Sequence, residues 1–392
     1  MKAITRIIWI LSLISLFNDV ASEMLIPVMP LYLKSIGFSA LIIGIIEGVA
    51  EAVSGLSKGY FGKISDHMGK RVPFVRWGYG LSAIAKPIIV FIVNPFWVVF
   101  GRSVDKIGKG LRTGARDAIL SDESAHTDRG KVFGFHRSMD TVGAAIGPSL
   151  ALIYLFYHPG NYRNLFLFSI FPGIVAVALT FFIKENKKEK GNVSAAPVRL
   201  FPKFDYWNRS SPAYKSLVIG LVFFTLFNSS DIFLLLKMKE SGTSDLMLIG
   251  IYIFYNLVYA LTSFPVGIIA DKIGLKKIFV IGLLIFSFVY FGMSVRQTNY
   301  IYVGLLFCYG LFYACNEGIS KAWISKVCDK KDTATAIGMF SGLQSIAALI
   351  ASSLAGYIWY AFGSFYTFVI TGFAAVLVVL YILFNKTLPV KQ

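Results

Sequence analysis

Five cations on one stretch set the chemistry of this sequence. Gly101–Leu120 reads GRSVDKIGKGLRTGARDAIL and carries Arg102, Lys106, Lys109, Arg112 and Arg116, with Asp105 and Asp117 among them. Steps of 4, 3, 3 and 4 residues hold all five within an arc of about 120° on an α-helix. In an apolar chain such a stripe has to face protein or a water-filled cavity. An unpaired charge at the centre of a bilayer costs about 2.5–3.5 kcal/mol or more. The stripe can bind an anion. It can equally be structural, neutralised by acids on neighbouring helices, and residue types alone leave both readings open.

The acids that could answer it are on the page. Asp19 and Glu23 are four residues apart, as are Glu47 and Glu51, so each pair shares one helical face. Asp140 follows His136 and Arg137, and Lys86 immediately precedes Pro87. In the first half, seven acids (Asp19, Glu23, Glu47, Glu51, Asp105, Asp117, Asp140) face seven cations (Lys86, Arg102, Lys106, Lys109, Arg112, Arg116, Arg137). The balance predicts a mutually paired network. A carboxylate whose counter-ion moves away in one conformation takes up a proton there and releases it in the other. Asp19, Glu23, Glu47 and Glu51 are the candidates for that role.

The second half offers Asp231, Glu317 and Lys321 among neutral and aromatic groups, including Tyr252, Tyr259, Tyr309 and Trp323. We expect a division of labour. Lys86, Arg102, Lys106, Lys109, Arg112 and Asp140 would bind an anionic group. Asn228, Tyr255, Asn256, Tyr313, Asn316, Glu317 and Lys321 would hold the organic body of the same substrate. Ordinary helix packing and interfacial belts are the competing account of the aromatics.

The elements that carry these residues follow from composition. Of 392 residues 56% are hydrophobic and 15% charged, against about 25% charged in soluble domains. This predicts an all-α, multi-pass membrane protein. Taking about 20 apolar residues per crossing, twelve spans emerge, at roughly 7–33, 39–61, 73–93, 96–120, 132–157, 163–183, 215–236, 246–269, 276–295, 299–325, 334–361 and 365–385. Residues 1–183 form one predicted six-helix bundle, 184–214 a Lys-rich linker, and 215–392 a second bundle. The basic, apolar start lacks a small-residue cleavage site, so it reads as an uncleaved first span.

Lys and Arg concentrate at the amino terminus, after the even spans and in the linker; Lys63, Lys70, Arg71, Lys184, Lys187, Lys272 and Lys330 are examples. The positive-inside rule then puts both termini in the cytoplasm. The net charge of +17 is a topology signal, and no nucleic-acid partner is expected. Cys308, Cys315 and Cys328 are too few for a disulfide framework or a thiolate metal site. HExxH and P-loop motifs are missing from the sequence, so no enzyme, metal or cofactor is expected.

The halves repeat. GKISDHMGKRV from Gly62 matches GIIADKIGLKKI from Gly267, and Leu16-Phe17-Asn18 recurs as Leu226-Phe227-Asn228. Transporters built from repeats place substrate near the midplane at the repeat interface. In both halves the repeated loop resembles the signature of the major facilitator superfamily. Gly62, Asp66, Gly69, Lys70 and Arg71 carry it in the first copy, and Gly267, Asp271 and Gly274 in the second. The resemblance implies a fold of two six-helix bundles, alternating access, and a cytoplasmic latch in which Asp66 meets the start of span eleven. It also implies a functional monomer in the cell (inner) membrane, driven by the proton gradient. Gly143, Gly147 and Pro148 on span five resemble the signature of the family's antiport exporters, although Ala151 and Leu152 replace its closing glycines. Export by antiport is the expectation. Proton-coupled import of an organic anion or siderophore, passive uniport, and a substrate-binding sensor without flux are the alternatives.

Overall fold

The computed structural model describes residues 4–68, 70–124, 129–184, 205–328 and 333–387. All regular elements among them are helices. The first half holds α1 (Arg6–Glu23), α2 (Met29–Ser35), α3 (Ala40–Met68), α4 (Val72–Ile88), α5 (Pro95–Asp122), α6 (Arg129–Tyr157), α7 (Tyr162–Phe168) and α8 (Ile170–Thr180). After α9 (Asp205–Arg209) come α10 (Pro212–Thr225), α11 (Ile232–Glu240), α12 (Asp245–Ile273), α13 (Leu275–Ser294), α14 (Asn299–Val327), α15 (Thr333–Phe362) and α16 (Ser364–Phe384).

Seven spans are long and apolar enough to cross a membrane by themselves: α3, α6, α7 with α8, α12, α13, α15 and α16. The other five depart from that simple form for visible reasons. α4 has only 17 residues. α5 carries the cationic stripe and α14 carries Glu317, Lys321 and Lys326. Spans one and seven are each broken in two. Pro27 and Pro30 withhold the N–H groups that would carry α1 into α2, and such groups are what an interior helix needs. Between α10 and α11 the break is Asn228-Ser229-Ser230-Asp231, whose side chains compete for backbone partners. The hydropathy pattern predicts an uninterrupted helix there, and the structure corrects it.

Helix starts are set locally. Ser211, Asn94 and Ser244 accept from the backbone N–H of Tyr214, Phe96 and Met247, capping α10, α5 and α12. Pro212 and Pro95 at the first helical position add a preset φ. Gly274 closes α12 with φ 103°, a conformation that L side chains rarely adopt. The second copy of the repeated loop therefore needs its glycine.

The chain divides into two compact units. Unit 1 comprises 1–36 and 49–201; unit 2 comprises 37–48 and 202–392. The first part of α3 thus clusters with the second unit, where Gly44 and Gly48 lie against the backbone carbonyls of Ser352 and Leu349. In unit 1, Ile8, Leu11 and Ile14 of α1 pack with Val72, Val75 and Tyr79 of α4 and Ala115 of α5. In unit 2, Phe224, Phe286, Tyr290, Phe312 and Phe368 interlock as stacked and edge-on rings. Large apolar side chains such as Phe171, Phe264 and Phe288 point outward, as lipid-facing positions require.

Candidate functional site

In unit 1 the charged residues are carried by α1, α3, α4, α5 and α6. α4 and α5 approach closely because Gly78 and Gly108 meet: a Cβ on Gly78 would lie 2.7 Å from the Gly108 carbonyl oxygen and from Arg112 Cβ. That contact brings the stripe of α5 against Tyr79, Ser82 and Lys86 of α4. Gly143 and Gly147 do the same for α6 and α1, where added Cβ atoms would lie 2.6 Å from Leu16 O and 2.7 Å from Val20 O. Asp19 sits beside Gly143.

The expected pairing is partly present. Lys106 Nζ donates to Glu51 Oε1 at 2.6 Å, and Lys86 Nζ lies 3.2 Å from Asp105 Oδ1. Arg116 pairs with Asp117 at 2.9 Å and also donates to Ser15 Oγ at 3.1 Å. Asp140 lies 3.9 Å from Arg137 and 3.7 Å from His136 Nε2, while His136 Nδ1 contacts Ser12 Oγ at 3.2 Å. Asp19 accepts from Asn18 Nδ2 at 3.1 Å and lies in the field of Asp140, Arg112, Lys109 and Arg116.

Arg112 departs from the expectation of a fully paired network. It is buried, 5% exposed, yet its described partners are neutral. Nη1 donates to Ser82 Oγ at 2.6 Å, and the guanidinium stands 4.6 Å from the Tyr79 ring centroid. No carboxylate lies within ion-pair distance of it among the described residues. Lys109, one turn away, is exposed, and it too makes no described ion pair. Among the described residues, the middle of the stripe is thus a pair of cations that neighbouring acids (Asp19, Glu51 and Asp105) reach through their field and not by a direct ion pair. Tyr79 and Ser82 were not singled out in the sequence; the signal was their i, i+3, i+7 spacing with Lys86, which puts all three on one face of α4.

The remaining unit 1 candidates fall where the chain order predicts. Glu47 is buried and stands one turn before Glu51 on α3, in the segment 37–48 that clusters with unit 2. Glu23 is half-buried on the last turn of α1, and Arg102 lies near the outer end of the stripe. Of the repeated loop, Gly69 and the Asp66 and Asp271 side chains lie outside the described residues, as does most of the linker. Lys70 is exposed, and Arg71 pairs with Asp122 at the end of α5. Gly62 contacts Gly114 of α5, whereas Gly267 faces open space. Pro148 sits inside α6.

Unit 2 gathers its polar groups around Asp231. Tyr255 of α12 donates to Oδ2 at 2.9 Å; Tyr309 and Tyr313 of α14 donate to Oδ1 at 2.7 and 2.9 Å. Tyr259 donates to Glu317 at 2.6 Å, and Asn256 donates to the Tyr252 carbonyl. Asn228 Oδ1 is buried without a hydrogen bond. Asn316 is half-buried and Lys321 exposed on the same helix as Tyr313. Of the candidates, Tyr255 and Tyr313 meet at Asp231, a carboxylate that sequence reasoning noted but did not rank among them, while Glu317 is held by Tyr259.

The sequence matches the Major Facilitator Superfamily over residues 11–255 and 217–392. The chain belongs to this superfamily. It is 31% identical over 366 residues to an uncharacterized MFS-type transporter of Methanocaldococcus jannaschii, covering 91% of this chain and 89% of that one. It is 25% identical to the sialic acid transporter NanX of Escherichia coli, with 87% and 84% covered. Identity is also 25% to a multi-drug resistance efflux pump PmrA homolog of Lactococcus lactis, with 86% and 85% covered. The crystal structure of a mutant of the nucleoside transporter NupG superposes with a TM-score of 0.83 at 13% identity, covering 97% of this chain and 100% of that one. The superfamily fold is thereby shown. The protein is a multi-pass membrane transporter of a small molecule and not an enzyme.

Proposed function

We propose that this transporter moves a small organic solute bearing an anionic group, by proton-coupled alternating access, and that it exports it. One observation carries the anionic part. Arg112 is buried, its direct contacts are a hydroxyl and an aromatic ring, and Asp19 and Asp105 act on it only through their field; a guanidinium so placed is a ready bidentate receptor for carboxylate or phosphate. Lys109 adds a mobile positive charge one turn away. Asp19 and Glu51 supply proton carriers, since each shares its surroundings with cations that a substrate anion would engage. Glu23 and Glu47 extend that set. Lys86, Lys106 and Arg102 tune the field, the first two through Asp105 and Glu51.

The export direction is supported by Gly143, Gly147 and Pro148 on α6, and by the likeness to an efflux pump homolog. Import is the second reading, favoured by the cationic stripe itself, which suits uptake of an anion. The repeated loops at Gly62 and Gly267 would latch the cytoplasmic side, with both termini and the linker on that side and the inner membrane as the location. The proton gradient is the energy source and the monomer the working unit.

The deciding experiment is flux in proteoliposomes. Counterflow of a panel of carboxylated and phosphorylated solutes, with and without a pH gradient, identifies substrate and coupling together. Arg112→Gln should abolish transport of the anion while the protein stays folded in detergent. Normal gradient-driven transport by that variant would overturn the reading.

A further inference from the structure

The arrangement around Asp231 is not used by the anion site of unit 1. Asp231 stands at the start of α11, where an aspartate ordinarily caps the helix. Its side chain makes no capping hydrogen bond. Instead its two oxygens accept from Tyr255, Tyr309 and Tyr313 at 2.7–2.9 Å. Three phenols on one carboxylate supply the hydrogen bonds that an ionised carboxylate accepts.

Further groups near this carboxylate can accept a hydrogen bond. Asn228 Oδ1, Ser229 Oγ and Tyr290 OH are buried side-chain atoms without a hydrogen-bond partner. Ser229 is 4% exposed and Tyr290 fully buried. Tyr290 neighbours Tyr309, their ring centroids 6.4 Å apart. Each of the three donating phenols also keeps a lone pair. Aromatic rings form the wall: Tyr255, Tyr259, Tyr309 and Tyr313 contact one another with centroids 5.2–6.4 Å apart. At the far end of this column Tyr259 holds Glu317, a second carboxylate.

Such a set calls for a positively charged donor of hydrogen bonds. A hard metal cation would want six or more oxygens with several carboxylates among them, and no cluster of three or more metal-ligating side chains exists among the described residues. An ammonium group suits the set better. It supplies three N–H donors to the carboxylate and the unpartnered oxygens, and its charge is attracted by the tyrosine faces. The break between α10 and α11 lets Asp231 reach inward, in the manner of discontinuous helices that frame binding sites in transporters.

We propose that the Asp231 cluster of unit 2 binds the ammonium group of an organic amine, with Glu317 as a second attractor along the tyrosine column. This goes beyond the anion reading of unit 1 and does not rest on it.

The test is calorimetric titration of the full chain in nanodiscs, with empty nanodiscs subtracted. The probes are phenethylamine, its neutral analogue 2-phenylethanol, the anion 3-phenylpropionate, and sodium against potassium chloride. Phenethylamine should bind saturably, whereas 2-phenylethanol and sodium should not. Asp231→Asn should weaken the amine about tenfold, as loss of a charge-assisted contact does. Tyr313→Phe and Tyr255→Phe keep the rings and remove one donor each, and should weaken it about threefold. These two decide the matter if Asp231→Asn does not fold. Absence of saturable amine binding, unchanged affinity in the folded variants, or displacement of the amine by sodium overturns the proposal. The phenylpropionate titration reports separately on unit 1, so one proposal can fail without the other.

Discussion

The guanidinium of Arg112 stands 4.6 Å from the centroid of the Tyr79 ring. Tyr79 itself is buried and anchored in the core of unit 1. The pair is held by α4 and α5 meeting at Gly78 and Gly108. A cation–π contact of this kind contributes about 2 kcal/mol when desolvated, less than the cost of leaving a charge without a counter-ion at mid-bilayer. On the proposed reading, an arriving anion makes up that difference.

Charge alone should not be enough at position 112. Arg112→Lys keeps the positive charge but loses the planar fork and the stacking face. Transport should fall about tenfold or more, the equivalent of roughly 1.4 kcal/mol, with KM rising if the residue acts in binding. Tyr79→Phe keeps the ring and should transport normally, whereas Tyr79→Leu should raise KM several-fold. Initial rates against substrate concentration in proteoliposomes check all three. Equal kinetics for the Arg and Lys forms would remove bidentate recognition from the account.

The Glu51–Lys106 pair should separate coupling from movement. Its Nζ to Oε1 distance is 2.6 Å, and the Glu51 side chain is 45% exposed, so a proton can reach it. In Glu51→Gln the protein should still exchange labelled for unlabelled substrate but should no longer accumulate it against a pH gradient. Asp19→Asn should behave in the same way, or lose both activities if Asp19 also positions the cations. Counterflow and gradient-driven transport, measured side by side, give the answer. Retention of gradient-driven accumulation by both variants would end their candidacy as proton carriers.

How much of this was legible in the chain follows the physics of each signal. Twelve spans, two repeated halves and the loop signature were readable because hydropathy and loop charge act locally. The breaks were harder. Pro27 and Pro30 announce one, but Asn228–Asp231 interrupts span seven with polar side chains that a hydropathy window averages away. The stripe and its acids were found by spacing, but spacing could not assign the pairs, because the partner is set by helix packing. Lys86 chooses Asp105 through the approach of α4 and α5 at Gly78–Gly108, and Lys106 chooses Glu51 through that of α3 and α5 at Ser57 and Gly110, neither of which a sequence displays. Glu47 and Glu51 share a face in the sequence, yet fall into different units. Tyr255, Tyr259, Tyr309 and Tyr313 were visible as two i, i+4 pairs, but that three of them share Asp231 while Tyr259 takes Glu317 required the fold.

The glycine contact between α4 and α5 should be sensitive to a single methyl. Gly78→Ala places Cβ 2.7 Å from the Gly108 carbonyl and from Arg112 Cβ, closer than van der Waals contact allows. Overpacking of this type costs about 1–3 kcal/mol. The melting temperature in detergent should drop, and the separated helices should loosen Arg112 from Tyr79, so KM should rise as well. Gly80→Ala, which meets open space, is the control and should change neither. Equal stability of the two variants would show that the helices have room the geometry denies.

The Lys86–Asp105 pair tests whether a charge in this interior is structural. The Lys86 side chain is only 4% exposed; its ammonium lies 3.2 Å from Asp105 and donates to the Ser82 carbonyl at 2.9 Å. With two of its three donors and its charge so engaged, Lys86 has less to offer a substrate than Arg112 has. Asp105→Asn leaves the ammonium buried without its counter-charge, which costs about 3–5 kcal/mol where a buried pair is broken from one side. Lys86→Met with Asp105→Leu removes both charges together, and such replacements are neutral or stabilising in many buried pairs. The single variant should therefore melt well below the parent, the double variant close to it. If the double variant also transports, Lys86 drops out of the binding set and the pair is a brace for the stripe. If it is stable but inactive, Lys86 works in recognition despite its partner. A double variant as unstable as the single one would mean that the pair holds more than its own two charges.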